Sequence, residues 1–216
     1  MQKQSGFTLV EIAIVLVIIG LILAAVLKGQ EMITQGKIKG AINDFNAVMT
    51  AYNGYQDRYR AIPGDDPNAS ARWTTAGFTP TGATVGNGIV DGNYNDSAAA
   101  PSEANFFWME LRLANFYTGS TASASAGLTQ PENAVGGIIG VQNGALGMSG
   151  LSICMSAVVY KIAQAVDTQL DDGHAATGTL RAVSYTPSGT SLPSLASTPT
   201  ADYADGSTYV LCRSVP

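Results

Sequence analysis

The sequence predicts an α+β protein in which a long N-terminal helix carries a globular head with a small antiparallel sheet and additional helices. A predominantly apolar run of 21 residues, positions 7–27, lies near the start of the chain. Apolar residues then recur every three or four positions, which is the pattern of a helix with one apolar face. Beyond Pro63, Gly, Ser, Thr and Ala alternate with short apolar runs, which indicates a loop-rich globular fold rather than disorder.

The first apolar run is long enough to cross a bilayer as a helix. Its 21 residues span about 31 Å at 1.5 Å per residue, close to the thickness of the hydrocarbon core. Glu11 is the only charged residue in the run. A carboxylate at membrane depth costs on the order of 3 kcal/mol, so Glu11 is a candidate functional residue.

The helix is predicted to continue beyond Lys28 as an amphipathic segment and to end before Pro63 and Gly64, near Arg60. Its apolar stripe consists of Ile33, Ile38, Ile42, Phe45, Met49, Tyr52 and Tyr59. The glycines within the helix are Gly20, Gly29, Gly36, Gly40 and Gly54. Each costs about 1 kcal/mol relative to Ala. Close helix packing and local unwinding of the stem both explain them, and the sequence does not choose between the two.

Two more helices and several strands are predicted in the head. Residues 101–115 form a helix with Ser102 as its N-cap, and residues 153–170 have helical spacing. The predicted strands are 135–141, 145–148 across an Asn-Gly turn, 180–185 and 208–213. The predicted surface loops are 119–127 and 186–200.

The N-terminus resembles the class III signal of type IV prepilins and of type II secretion pseudopilins. A short polar leader ends at Gly6, Phe7, Thr8 and Leu9 open the apolar run, and Glu11 is the fifth residue counted from Phe7. The resemblance implies that prepilin peptidase cleaves after Gly6 on the cytoplasmic side and that the new N-terminal Phe7 is N-methylated. It also implies that Phe7 and Glu11 take part in assembly.

This resemblance implies a division of the chain into a leader (1–6), a transmembrane and assembly helix (7–27), an amphipathic stem helix (28–62) and a globular head (63–216). The expected function is that of a pilin or minor pilin, a structural subunit of a type IV pilus-like filament and not an enzyme. Expected partners are identical or related pilin subunits, prepilin peptidase and the inner-membrane assembly machinery. The precursor belongs in the bacterial inner membrane, and the assembled filament is extracytoplasmic or at the cell surface.

Other interpretations of the N-terminus remain open. A pseudopilin of a type II secretion system carries the same kind of signal, and a membrane-anchored extracytoplasmic binding protein could use the same export route. An ordinary secretory signal would be cleaved after the apolar run, near Ala24 and Ala25, but this run is longer than a usual signal core. A plain membrane anchor would account for the length but not for Glu11 or the Gly6–Phe7 junction.

The only two cysteines, Cys154 and Cys212, are expected to form a disulfide. An N-terminal membrane signal of this class places the rest of the chain outside the cytoplasm, where disulfides persist. The alternative is a pair of buried free thiols. Spacings typical of zinc sites or of CxxC redox motifs do not occur.

One loop is a candidate calcium site, whereas nucleic-acid binding is not expected. Asp91, Asn93 and Asp96 offer oxygen ligands in a Gly- and Asn-rich loop, which suits Ca²⁺, although the EF-hand spacing is not met and an ordinary Asx-turn loop is the alternative. No other cofactor is expected. A formal net charge of −5 argues against nucleic-acid binding.

Overall fold

The computed structural model describes residues 8–74, 85–122, 124–187, 192–196 and 198–216. Two units, Met1–Lys37 and Ile38–Pro216, emerge from the distribution of internal contacts. The observed architecture has the long N-terminal helix, the small antiparallel sheet and the further helices that the sequence predicts.

Helix α1 extends over Leu9–Tyr59, 51 residues or about 76 Å, and its end agrees with the prediction. Arg60 has a φ of 55°, a left-handed conformation that terminates the helix. Burial of one face begins at Ile38, and Ile33, included in the predicted stripe, is exposed. The buried residues of α1 are Ile38, Ala41, Phe45, Val48, Ala51, Tyr52 and Tyr55. Their spacing confirms the amphipathic character of the second half of the helix.

The sheet has four antiparallel strands in the order β1-β2-β4-β3. Their bounds are Ile139–Asn143 (β1), Leu151–Val159 (β2), Leu180–Tyr185 (β3) and Thr208–Ser214 (β4). The strand that comes last in sequence, β4, therefore lies between β2 and β3. The predictions for β3 and β4 are confirmed.

Cys154 in β2 and Cys212 in β4 form the predicted disulfide. The two residues are direct partners in the β2–β4 register, with their Cα atoms 4.0 Å apart, and both are fully buried. The bridge therefore joins neighbouring central strands. It does not tie a helix to a strand, as the helical interpretation of residues 153–170 implied.

Within the described residues, four further α-helices accompany the sheet, with bounds Ala69–Arg72 (α2), Glu103–Leu113 (α3), Ala124–Leu128 (α4) and Tyr160–Leu170 (α5). The predicted N-cap of α3 is confirmed, because Ser102 and Asn105 form a reciprocal capping box. One face of the sheet, represented by Ile153 and Leu211, packs with α3 and with the part of α1 after Lys37. The other face carries the disulfide.

The helical prediction for residues 153–170 is wrong in its first half. Residues up to Val159 belong to β2, which pairs on both sides, and the helix α5 begins only at Tyr160. Nearly all of β2 is buried on both faces. A strand of this kind has no polar–apolar alternation, so periodicity alone does not separate it from a helix. Ala157, with a φ of 62°, marks the irregularity in its pairing.

The predicted hairpin between 135–141 and 145–148 is also corrected. Residues Ala145–Gly147 form a short 3₁₀ turn, and β1 pairs instead with β2. Leu146 is buried, and its amide donates to the carbonyl of Leu195, 2.8 Å away. The segment after the Asn-Gly turn therefore buries Leu146 beside Leu195 and does not form a strand of the sheet.

Part of the segment predicted as the exposed loop 119–127 forms α4 and packs on α3. Leu128 joins the apolar cluster around Met109. The guanidinium of Arg112 donates to three carbonyls at the end of α4, those of Ala126, Gly127 and Thr129. Cationic donors at these carbonyls stabilise the end of a helix. The Ser- and Ala-rich composition of the segment did not predict this helix.

Candidate functional site

Glu11 closes the first turn of α1 onto Thr8. The Thr8 amide and hydroxyl both donate to Oε2 of Glu11, at 2.8 and 2.7 Å, and the Glu11 amide donates to the Thr8 hydroxyl at 3.3 Å. This reciprocal pattern is a capping box, for which Thr8-x-x-Glu11 is the sequence signature. Sequence reasoning missed this role of Thr8, although the spacing was visible.

The first half of α1 presents apolar side chains on all sides. Between Leu9 and Leu27 the large apolar residues are 47% to 86% exposed. An 18-residue window of α1 has a mean hydropathy of 3.1, and by length and composition this helix is able to cross a membrane. Its apolar surface therefore requires lipid or another protein surface to cover it.

The glycines of α1 fall into two groups. A methyl group added at Gly20, Gly29 or Gly36 meets nothing of the described chain within 4 Å. Beyond Lys37 the helix packs closely instead. A Cβ at Gly40 would lie 2.6 Å from the Ala134 methyl, and one at Gly54 would lie 2.8 Å from the Phe116 ring. Packing thus explains Gly40 and Gly54.

Residues 1–27 match the family model of the prokaryotic N-terminal methylation motif. The chain carries the class III signal of the type IV pilin and pseudopilin family. The motif indicates a type IV pilin-like or pseudopilin protein, and with the apolar helix it is consistent with a membrane-anchored precursor. Among curated proteins and among solved structures, none matches the chain. Gly6 and Phe7, the predicted processing residues, lie outside the described residues, so cleavage and methylation there remain predictions.

The predicted calcium ligands lie in a loop that is held by its own hydrogen bonds. The Asn93 amide and side chain donate to the two carboxylate oxygens of Asp96, at 2.8 and 3.0 Å. The Asp91 amide donates to Oε2 of Glu103, 2.8 Å away. Asn93 and Asp96 are thus held together by hydrogen bonds that the Asp96 carboxylate accepts. Calcium binding at these residues and Asp91 remains a prediction.

A second acidic group lies at the end of α5. Carboxylate oxygens of Asp167, Asp171 and Asp172 lie within 4.8 Å of one another. Each side chain accepts hydrogen bonds from nearby groups, including the Tyr203 hydroxyl at 2.6 Å to Asp167 and the Thr177 hydroxyl at 2.6 Å to Asp172. These contacts give the group a structural role in closing the α5–β3 turn.

Two buried aspartates follow α1, where the sequence indicated only a loop. The Asp65 carboxylate accepts hydrogen bonds from the backbone amides of Gly86, Asn87 and Gly88. These bonds fix the turn at residues 86–88 to the segment that follows α1. Asp66, fully buried, pairs with Arg72.

Another buried carboxyl group, that of Glu110, shares the Tyr55 hydroxyl with Asp66 and was also missed. It lies on α3 between Met109 and Leu111, all three fully buried. The available signal was a lone acid among apolar positions of an amphipathic helix, because ionisable groups are rarely buried there without a partner.

Proposed function

We propose that this protein is a structural subunit, a pilin or minor pilin, of a type IV pilus-like filament. The observation that supports this most strongly is the methylation motif at the start of a helix whose apolar first half is exposed on all sides. In the filament, this half packs against the same half of other subunits. The pseudopilin of a type II secretion system is the second candidate, since the same motif belongs to that group.

The proposal assigns a role to each part of the chain. Residues 1–6 are a leader that prepilin peptidase removes after Gly6, and residues 7–27 hold the precursor in the bacterial inner membrane. Residues 28–62 form the stem, and residues 63–216 form the extracytoplasmic head. The role is structural and not enzymatic. Mass spectrometry of the membrane-derived protein should find Phe7 as the N-terminus with one added methyl group. An N-terminus near Ala25 would instead indicate an ordinary signal peptide.

Glu11 is proposed to set the register between neighbouring subunits. Cleavage leaves a charged amine on Phe7, and an unpaired charge at the apolar end of the helix is costly. An incoming subunit lowers this cost by placing its Phe7 amine against Glu11 of a subunit already in the filament.

Substitutions at Glu11 and Thr8 separate this role from helix capping. Glu11→Gln retains a residue that completes a capping box but removes the charge, whereas Thr8→Val removes the capping hydroxyl and keeps the charge. We expect Glu11→Gln and Glu11→Ala to leave cleavage and the head intact and to reduce filament number strongly. Thr8→Val and the exposed control Glu31→Gln should assemble.

Filaments are counted by electron microscopy, and processing is followed by mass spectrometry. Normal filament number and length in Glu11→Gln and Glu11→Ala would rule out the register mechanism. Loss of filaments in Thr8→Val and Glu11→Ala, with Glu11→Gln normal, would assign the residue to capping alone.

A further inference from the structure

The hydroxyl group of Tyr55 lies between two buried carboxyl groups. It is 2.8 Å from Oδ2 of Asp66 and 3.0 Å from Oε2 of Glu110. A tyrosine hydroxyl has a single proton and donates one strong hydrogen bond. If both carboxyl groups were ionised, one of these short contacts would bring two acceptor oxygens together. A second proton is therefore required in the cluster.

Asp66 is the carboxyl group that forms an ion pair. The Arg72 guanidinium donates to its Oδ2, with Nη1 at 2.7 Å, and the Asn68 amide donates to Oδ1 at 2.9 Å. An ion pair and charge-assisted hydrogen bonds of this kind stabilise the carboxylate form. Tyr55 accordingly donates its proton to Asp66.

Glu110 has the opposite environment. Its Oε2 accepts only the Gly64 amide, at 2.8 Å, besides the Tyr55 contact, and its Oε1 is buried without a hydrogen-bond partner among the described residues. An ionised carboxylate with a bare buried oxygen is expensive. Burial raises the pKa of Glu110 to about 8; Asp66 adds to this increase, while Gly64, Tyr55 and Arg72 oppose it.

We propose that Glu110 is a neutral carboxylic acid in the folded protein and that its proton completes a hydrogen-bonded chain from Glu110 through Tyr55 to Asp66. In this chain Oε2 of Glu110 donates to the Tyr55 oxygen, and the Tyr55 hydroxyl donates to Oδ2 of Asp66. The chain joins α3, the last turns of α1 and the segment that follows α1. It makes this junction sensitive to alkaline pH. The proposal does not depend on the filament function.

The direction of the pH effect follows from linkage. The ordinary pKa of a glutamate here is 4.5, and that of Glu110 in the folded state is about 8. The stabilisation that the Glu110 proton provides is complete when the pH is below the ordinary pKa. It decreases as the pH rises toward the pKa of the folded state. Over that interval the folding constant falls about tenfold per pH unit, and the contribution is gone above the folded value.

The direct test is carbon-13 NMR of the full-length chain in detergent micelles, labelled at the glutamate side chains. The chain has only five glutamates, and through-bond assignment identifies Glu110 without a variant. We expect its Cδ resonance to report the neutral acid at pH 7 and to titrate near pH 8. A Cδ resonance already ionised at pH 6 would overturn the proposal.

A stability measurement tests the hydrogen-bonded chain itself. The unfolding midpoint in guanidinium is measured between pH 5 and pH 9 for the wild type, for Glu110→Gln and for the control Glu132→Gln, which changes an exposed glutamate. We expect the wild type and the control to lose stability toward alkaline pH with the same profile, and Glu110→Gln to have a flatter one. Identical profiles in all three proteins would refute the role of the Glu110 proton. If Glu110→Gln does not fold, the NMR titration of the wild type decides.

Discussion

Removal of the Cys154–Cys212 disulfide should destabilise the head by an amount that follows from the loop it closes. The sequence separation of the two cysteines is 58 residues. The chain-entropy model gives about 4 kcal/mol for a loop of this length. For a domain of this size, that corresponds to a decrease in melting temperature of about 8–16 °C. Because the bridge lies between two central strands, its loss acts on the middle of the sheet.

Two forms of the protein separate the cross-link from the volume of the sulfur atoms. The reduced wild type keeps both sulfur atoms and loses only the covalent bond. The double variant Cys154→Ala with Cys212→Ala loses both, and because both sites are fully buried it leaves space in the core. We therefore expect stability to decrease from the oxidised wild type to the reduced wild type and further in the double variant.

The assay is guanidinium unfolding of the full-length chain in detergent, followed by the fluorescence of Trp73 and Trp108, of which Trp108 is fully buried in the head. Peptide mapping without reductant confirms the oxidation state of each sample. Equal midpoints for the oxidised and reduced wild type would refute the loop-entropy argument. A double variant as stable as the reduced protein would show that the sulfur volume contributes nothing.

Two further predictions concern single contacts in the head. Tyr203→Phe removes the hydroxyl that donates to buried Asp167. Its loss should raise the already elevated pKa of Asp167. It should also lower the free energy of unfolding by about 1–3 kcal/mol. Gly54→Ala places a methyl group against the Phe116 ring, so the overpacking cost of about 1–3 kcal/mol should exceed the gain of about 1 kcal/mol in helix propensity. The control Gly36→Ala meets nothing of the described chain, so it gains helix propensity without an overpacking cost and should not lower the unfolding midpoint of the head. A Gly54→Ala head more stable than wild type, or a Tyr203→Phe head as stable as wild type, would contradict these contacts.

Much of the fold could be predicted because its signals are local. The extent of α1, the N-cap of α3 at Ser102 and the edge strand β3 all follow from periodicity, a capping residue or a short apolar run with flanking turns. The pairing of Cys154 with Cys212 followed from there being only two cysteines. None of these predictions required knowledge of which elements are neighbours in space.

The errors occurred where neighbouring elements decide the structure. Strand β2 is buried on both faces by elements distant in sequence, and it therefore lacks the alternation that marks a strand. Leu146 follows an Asn-Gly turn but is not part of the sheet. Its side chain packs in an apolar cluster with Leu195, and its amide donates to the Leu195 carbonyl. Glu110 lies beside Tyr55, although the two residues are 55 positions apart in the sequence. Such a juxtaposition is a product of tertiary packing, and a single sequence does not encode it in any local pattern.

The position of β4 between β2 and β3 determines the order in which the head can be completed. Until residues 208–214 are available for folding, β3 has no strand to pair with and β2 pairs only with β1. Cys154 likewise has no partner until Cys212 arrives. If the chain crosses the membrane from its N-terminal end, the sheet cannot be completed before residues 208–214 have crossed. Until then the chain must remain soluble with β3 unpaired and β2 paired on one side only, and its central strand is added last.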